Sequence, residues 1–185
     1  AGELFVHFFR TAGMNITGKL RLGRVDPATD RLIYRHTSEF TATDIIERLL
    51  KYSNNYIANQ LLITIGASVY QPPGTLGKGV AAASRYAEKI RGLEGLVLAE
   101  GSGLSRKNRA SAAMFIKILD AFAPYRHLMP ADANDYYKTG TLNGIRTRVG
   151  YIVSGSGELY RYAILLNSPD KTVDAIIKRI IARIN

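Results

Sequence analysis

Tyr136-Tyr137-Lys138-Thr139-Gly140-Thr141-Leu142-Asn143-Gly144 is the stretch from which the fold can be read. Its first seven residues mix aromatic and β-branched side chains without proline, which is the composition of a strand. Asn143-Gly144 is a hairpin signal, because Gly takes positive φ at no steric cost. Residues 149–153 then read as a second strand. Ser154-Gly155-Ser156-Gly157 turns the chain, and Leu159–Leu166 reads as a third strand. Three strands on short connections predict an antiparallel meander. Downstream, Val173, Ile176, Ile177, Ile180, Ile181 and Ile184 recur at helical spacing, with Lys178, Arg179 and Arg183 facing away. That stripe predicts a helix packed on the sheet. Ser168-Pro169-Asp170 marks its start, with proline in the first position.

Upstream of the sheet the pattern is helical. Thr41 caps a helix through Ile45, Ile46, Leu49 and Leu50. Tyr52-Ser53-Asn54-Asn55 interrupts it, since Ser and Asn compete for backbone hydrogen bonds. Residues 57–65 predict a second helix ended by Gly66, and residues 80–90 a third ended by Gly92. Residues 96–98 are a short extended run. Glu100-Gly101-Ser102-Gly103-Leu104-Ser105 is a glycine-rich loop. Ser111 caps a helix carrying Phe115, Ile116, Leu119 and Phe122. At the start of the chain, residues 3–10 predict a short helix with Leu4, Phe5, Phe8 and Phe9 on one stripe, stopped by Gly13. Residues 16–24 and 32–34 read as strands, with a turn at Asp26-Pro27. Helical and strand patterns are segregated, which predicts an α+β fold. The expected division is a mainly helical subdomain over 41–133 and a sheet-containing part made of 1–40 and 134–185.

Composition bounds the function. The chain has 185 residues, 46% of them hydrophobic, enough for one domain or a domain with a subdomain. No apolar run is long enough to span a bilayer. There is no cysteine, which removes disulfide and thiol chemistry and decides neither compartment. No export signal opens at Ala1, so any such signal lies upstream or has been removed. The formal net charge of +10 favours an anionic partner, such as nucleic acid, an acidic membrane surface or an acidic cell-wall polymer. The basic residues are scattered without aromatic interleaving, which disfavours a nucleic-acid site.

Two short motifs carry chemistry. Lys138-Thr139-Gly140 sets a cation, a hydroxyl and a bare backbone side by side on a strand. Such a strand can pair with an extended ligand, Gly140 leaving room for close approach. Lys138 and Thr139 can hold a carboxylate by charge-assisted hydrogen bonds. Ser53-Asn54-Asn55 alone is as well explained by a helix cap. The two together, a Ser-x-Asn on a helical connection followed by Lys-Thr-Gly on a strand, form the second and third signatures of penicillin-recognising serine enzymes.

The chain resembles the D-alanyl-D-alanine carboxypeptidases/endopeptidases of the low-molecular-weight penicillin-binding proteins. The likeness is carried by His36-Thr37-Ser38, by Tyr52-Ser53-Asn54-Asn55-Tyr56-Ile57-Ala58, by Glu100-Gly101-Ser102-Gly103-Leu104-Ser105-Arg106-Lys107-Asn108, and by Lys138-Thr139-Gly140-Thr141-Leu142. The third stretch departs from the family in opening on Glu100 rather than aspartate. The resemblance implies a β-lactamase/transpeptidase-like antiparallel sheet flanked by helices, acting on peptidoglycan peptides in the periplasm or another extracytoplasmic space, without cofactor or metal. Ser53 would relay a proton near the nucleophile and leaving group, Asn55 would hold the substrate backbone and the general-base lysine, and Lys138 would supply positive potential and help the proton relay. Thr139, Gly140 and Thr141 would line the substrate. The Thr139 and Thr141 side chains would bind its terminal carboxylate or adjacent amide, and the Thr141 backbone N–H would form half of an oxyanion hole.

One signature does not match. The family's Ser-x-x-Lys, which holds nucleophile and base, precedes Ser-x-Asn, and nothing before Ser53 fits it. Ser168-Pro169-Asp170-Lys171 has the pattern but stands after the sheet, where a helix cap explains it. The chain is therefore expected to be a C-terminal portion whose nucleophile lies in a missing N-terminal segment. Alone it is expected neither to hydrolyse D-Ala-D-Ala peptides nor to be acylated by a β-lactam, since no serine beside a base is identifiable. The alternative is a non-catalytic module that binds cell-wall peptide or anionic polymer.

Overall fold

The computed structural model describes residues 2–168 and 171–184. The chain divides into two compact units, Ala1–Ser38 and Glu39–Asn185.

In the first unit, α1 (Gly2–Thr11) is the predicted amphipathic helix. Gly13 ends it at a φ of 83°. Leu4, Phe5 and Phe8 are exposed, and the rings of Phe5 and Phe9 lie 6.1 Å apart. The turn at Asp26 forms, its carboxylate accepting from the Ala28 N–H. Residues 16–24 and 32–34 are not strands. A lone extended segment gains nothing until another strand takes its N–H and C=O groups, and no strand of the described residues pairs with either one.

In the second unit, α2 (Ala42–Tyr52) is capped by Thr41, which exchanges hydrogen bonds with Asp44 in a capping box. It is followed by α3 (Asn55–Tyr70), α4 (Leu76–Arg91) and α5 (Ala112–Phe122). Several boundaries differ from the sequence expectation. Gly66 does not end α3, which runs on to Tyr70, and α4 starts at Leu76 because the Thr75 hydroxyl caps it by accepting from the Lys78 N–H. Gly66 and Gly79 instead let the two helix backbones touch. A Cβ on Gly66 would lie 2.4 Å from the Gly79 nitrogen, and one on Gly79 would lie 2.2 Å from the Leu62 carbonyl oxygen. Gly92 is the α4 stop, in the left-handed conformation.

A 3-10 turn (Ala123–Leu128) leads to β1 (Ala131–Asp132), β2 (Asp135–Leu142), β3 (Ile145–Val153) and β4 (Leu159–Leu166). They form one antiparallel sheet in the order β1-β2-β3-β4. The Asn143-Gly144 turn pairs Leu142 with Ile145 and sets Lys138 opposite Val149. α6 (Val173–Ile184) follows; Pro169 and Asp170, its expected start, lie outside the described residues.

Side chains alternate along a strand, so each face of the sheet has its own set. On one face Tyr137, Ile152, Tyr162 and Ile164 pack against Ile176, Ile177, Ile180 and Ile181 of α6. On the other, Tyr136, Val149, Tyr151 and Leu159 pack against Leu50, Ile116, Leu119 and Phe122. Tyr151 has no exposed surface, and its hydroxyl donates to the Leu119 carbonyl at 2.6 Å. The fold is thus α+β, with a sheet between α6 and a helical layer. No helix of the described residues is long and apolar enough to cross a membrane.

Candidate active site

The break between α2 and α3 presents Ser53. Asn54, the middle residue of the motif, does the capping: its side chain accepts from the Ile57 N–H at 3.0 Å. Ser53 is left in the left-handed conformation, φ 51° and ψ 48°. Asn55 opens α3, and both Ser53 and Asn55 are exposed.

Lys138 comes to meet this break. By alternation it lies on the helical-layer face of β2, the same face as Tyr136. Its Nζ donates to Ser53 Oγ at 2.5 Å and to the Thr139 carbonyl at 2.8 Å. Two motifs 85 residues apart in sequence therefore share one hydrogen bond. Partial burial of Lys138 lowers its pKa, because desolvation disfavours the ammonium form.

β1 covers only the first residues of β2, pairing with Asp135 and Tyr136. Tyr137 N–H points to that side, donating to the Pro130 carbonyl at 2.9 Å. Backbone groups of an antiparallel strand alternate in direction. The N–H and C=O groups of Thr139 and Thr141 therefore face an edge that no strand of the described residues covers, beside Lys138. On the α6 face of the same strand, Thr139, Thr141, Arg146, Arg148 and Lys171 line a cavity of about 290 Å³.

Glu100 organises the glycine-rich loop. Its carboxylate accepts from the N–H groups of Ser102, Gly103 and Ser105, from the Ser102 hydroxyl and from Asn108 Nδ2, at 2.5–3.2 Å. Gly101 N–H donates to Asn59 Oδ1 of α3 at 2.8 Å, and Arg106 donates to the Asn143 carbonyl at 2.7 Å. The loop thus ties the helix that follows Ser53 to the hairpin that follows Lys138. Burial raises the Glu100 pKa, but the hydrogen bonds from Ser102, Ser105 and Asn108 outweigh it and bring the carboxyl down to about 2. A carboxyl lowered on folding stabilises above its unfolded pKa, and that contribution fades as pH falls from 4.5 through 2. Glu100→Gln is expected to lose it at neutral pH and to flatten the acid limb of the stability curve, read as thermal midpoint against pH.

Sequence reasoning missed the buried group beneath β2. Arg148 donates to Asp135 at 2.6 Å and to the Tyr162 hydroxyl at 3.0 Å, and Tyr162 donates to Asp135 at 2.8 Å. The Arg148 guanidinium stacks on Tyr137 at 3.6 Å from the ring centre. Burial and the Asp135 hydrogen bond raise the Tyr162 pKa. No spacing in sequence announces this group; it exists only once the β2–β3–β4 register is set.

A four-stranded antiparallel sheet between α6 and a helical layer is the arrangement of the β-lactamase-like fold class. The comparisons narrow the class. The model of the D-Ala-D-Ala carboxypeptidase 3 (S13) family matches residues 1–134, and the chain belongs to that family. It is 25% identical to D-alanyl-D-alanine carboxypeptidase DacB of Haemophilus influenzae over 90% of its own length and 40% of the relative's. It is 29% identical to a D-alanyl-D-alanine carboxypeptidase of an Actinomadura species, over 97% of its own length and 39% of the relative's. It therefore spans about two fifths of these curated relatives. A crystal structure of penicillin-binding protein 4 from Haemophilus influenzae, complexed with a β-lactam, has the same fold, with a TM-score of 0.75 and 23% identity over 94% of this chain and 46% of that one. The family match ends before Lys138, whereas both curated alignments cover at least 90% of the chain.

Proposed function

We propose that this chain is the substrate-binding and proton-relay part of a serine-type D-Ala-D-Ala carboxypeptidase/endopeptidase acting on peptidoglycan outside the cytoplasm. The observation that carries this reading is the Lys138–Ser53 hydrogen bond at the uncovered edge of β2. A peptide laid along that edge pairs with the backbone of Thr139 and Thr141 and brings its scissile carbonyl beside Lys138. Its terminal carboxylate is held by the hydroxyls of Thr139 and Thr141, in a cavity that Arg146, Lys171 and Asp174 also line, Arg148 being paired with Asp135. In the reaction, a serine outside this chain attacks the carbonyl. Ser53 and Lys138 pass its proton to the leaving D-Ala nitrogen, Asn55 holds the substrate amide, and the Thr141 N–H steadies the oxyanion. Water then releases the acyl group. The chain by itself binds such peptides and does not turn them over, because Ser-x-x-Lys is absent from the positions before Ser53.

Titration calorimetry tests the binding half. N-acetylated peptides ending in D-Ala-D-Ala are expected to bind at least about tenfold more tightly than their C-terminal amides, one charge-assisted contact contributing roughly 1.5–3 kcal/mol. Thr139→Val together with Thr141→Val should erase the difference. Equal affinity for acid and amide would remove the carboxylate site. The net charge of +10 favours a second reading, a non-catalytic module for anionic cell-wall polymer. That reading predicts tight, salt-sensitive polymer binding without preference for D-Ala-D-Ala.

A further inference from the structure

The hydrogen bond between Ser53 and Lys138 has a second chemical meaning, beyond a relay that serves a serine elsewhere. We propose that Ser53 is a latent nucleophile, activated by Lys138, which lets this chain alone take up phosphonyl fluorides and comparably activated esters. The sequence offers no serine beside a base; the fold makes one.

Three features of the pair support this. First, Ser53 Oγ and Lys138 Nζ are already in contact at 2.5 Å, the arrangement of an activated nucleophile and its base. Second, Lys138 is half-buried, and the ion pairs of the described residues, Arg148–Asp135 and Arg161–Asp120, do not include it. An ammonium without a carboxylate partner in a partly desolvated place gives up its proton more readily. Third, Ser53 is an exposed non-glycine residue held at φ 51°, a conformation that costs roughly 1–3 kcal/mol and clusters at functional sites. α3 begins two residues later. Its cap satisfies the Ile57 N–H.

The step balances within the pair and the reagent. Ser53 Oγ bonds to phosphorus as the P–F bond breaks, and fluoride leaves with the electron pair. The hydroxyl proton passes to neutral Lys138, which ends as ammonium. Fluoride needs no proton to depart. An amide or β-lactam does, and in the proposed function that proton is handled together with the Ser-x-x-Lys segment.

The test is intact-mass and peptide-mapping analysis of the whole chain after incubation with a fluorophosphonate probe between pH 7 and 10. One phosphonyl group is expected, on Ser53. Its rate of attachment should rise with pH, with a midpoint below the ordinary lysine value of 10.5. Ser53→Ala should abolish labelling, and Lys138→Met should slow it at least about a hundredfold, within the range of about 10²–10⁴ for general-base assistance. Ser53→Cys gives a readout free of Lys138 substitution: its alkylation should titrate below the usual cysteine pKa of about 8.5. A folded chain that stays unlabelled, a label on another serine, or an unshifted thiol in the Ser53→Cys variant would overturn the proposal. The outcomes separate from those of the proposed function. Absence of the phosphonyl label leaves the relay role intact, whereas a penicillin adduct on Ser53 of this chain would support the latent nucleophile and overturn that role.

Discussion

A longer protein carrying a Ser-x-x-Lys segment ahead of Ala1 is expected to take up one benzylpenicillin per chain, and its Lys138→Ala variant to do so about 10²–10³-fold more slowly. The magnitude is that of removing one preorganised electrostatic group from an acyl-transfer site. Lys138 holds Ser53 Oγ at 2.5 Å and the Thr139 carbonyl at 2.8 Å. Alanine would therefore release the relay serine, remove the positive charge and free the strand edge together. Ser53→Ala should cost less, since a water can take the place of a hydroxyl at an exposed position. Time-resolved mass spectrometry of the adduct reads both rates. A longer protein that carries Ser-x-x-Lys and stays unlabelled would favour the binding-module reading.

Asp135→Ala is expected to destabilise the chain by about 3–5 kcal/mol, the cost of leaving a buried charge without its partner. Asp135 is 5% exposed and accepts from both Arg148 and Tyr162. Removing its carboxylate strands the Arg148 guanidinium against Tyr137. At roughly 2–4 °C per kcal/mol for a domain of this size, the thermal midpoint should fall by about 6–20 °C. Arg148→Met added to Asp135→Ala should recover much of the loss, since an apolar replacement of both partners leaves no uncompensated charge. Denaturant midpoints of the single and double variants measure it. A loss under about 1 kcal/mol for Asp135→Ala would mean that solvent reaches Arg148. The effect bears on function because Asp135 opens β2 three residues before Lys138.

Much of the fold was legible because its signals are local. Alternation, the Asn143-Gly144 turn and the isoleucine stripe of α6 each act within a few residues, and each formed as read. The misreadings have physical causes. Residues 16–24 have strand composition, but a strand is a relation between segments and composition names no partner. Gly66 has the look of a helix stop, but its missing side chain serves close packing against Gly79, which no local pattern reveals. For the candidate site, the motifs gave Ser53, Asn55 and Lys138 as residue types in order. The Ser53–Lys138 contact needs the tertiary fold, and so does the pairing of a serine with a base that the sequence alone lacks. Glu100 was legible only as part of a loop, because the groups it gathers are backbone N–H groups that every residue carries.

The proposed function puts Ser53 and Lys138 in one peptide-binding site, at the edge of β2 that no strand of the described residues covers. Amide chemical-shift mapping of this chain, titrated with an N-acetylated peptide ending in D-Ala-D-Ala, tests it most directly. The expected result is a contiguous set of shifts at Ser53, Asn55 and Lys138 through Thr141, lost in Lys138→Ala. Shifts confined to other faces of the molecule, or an unchanged pattern in Lys138→Ala, would contradict it.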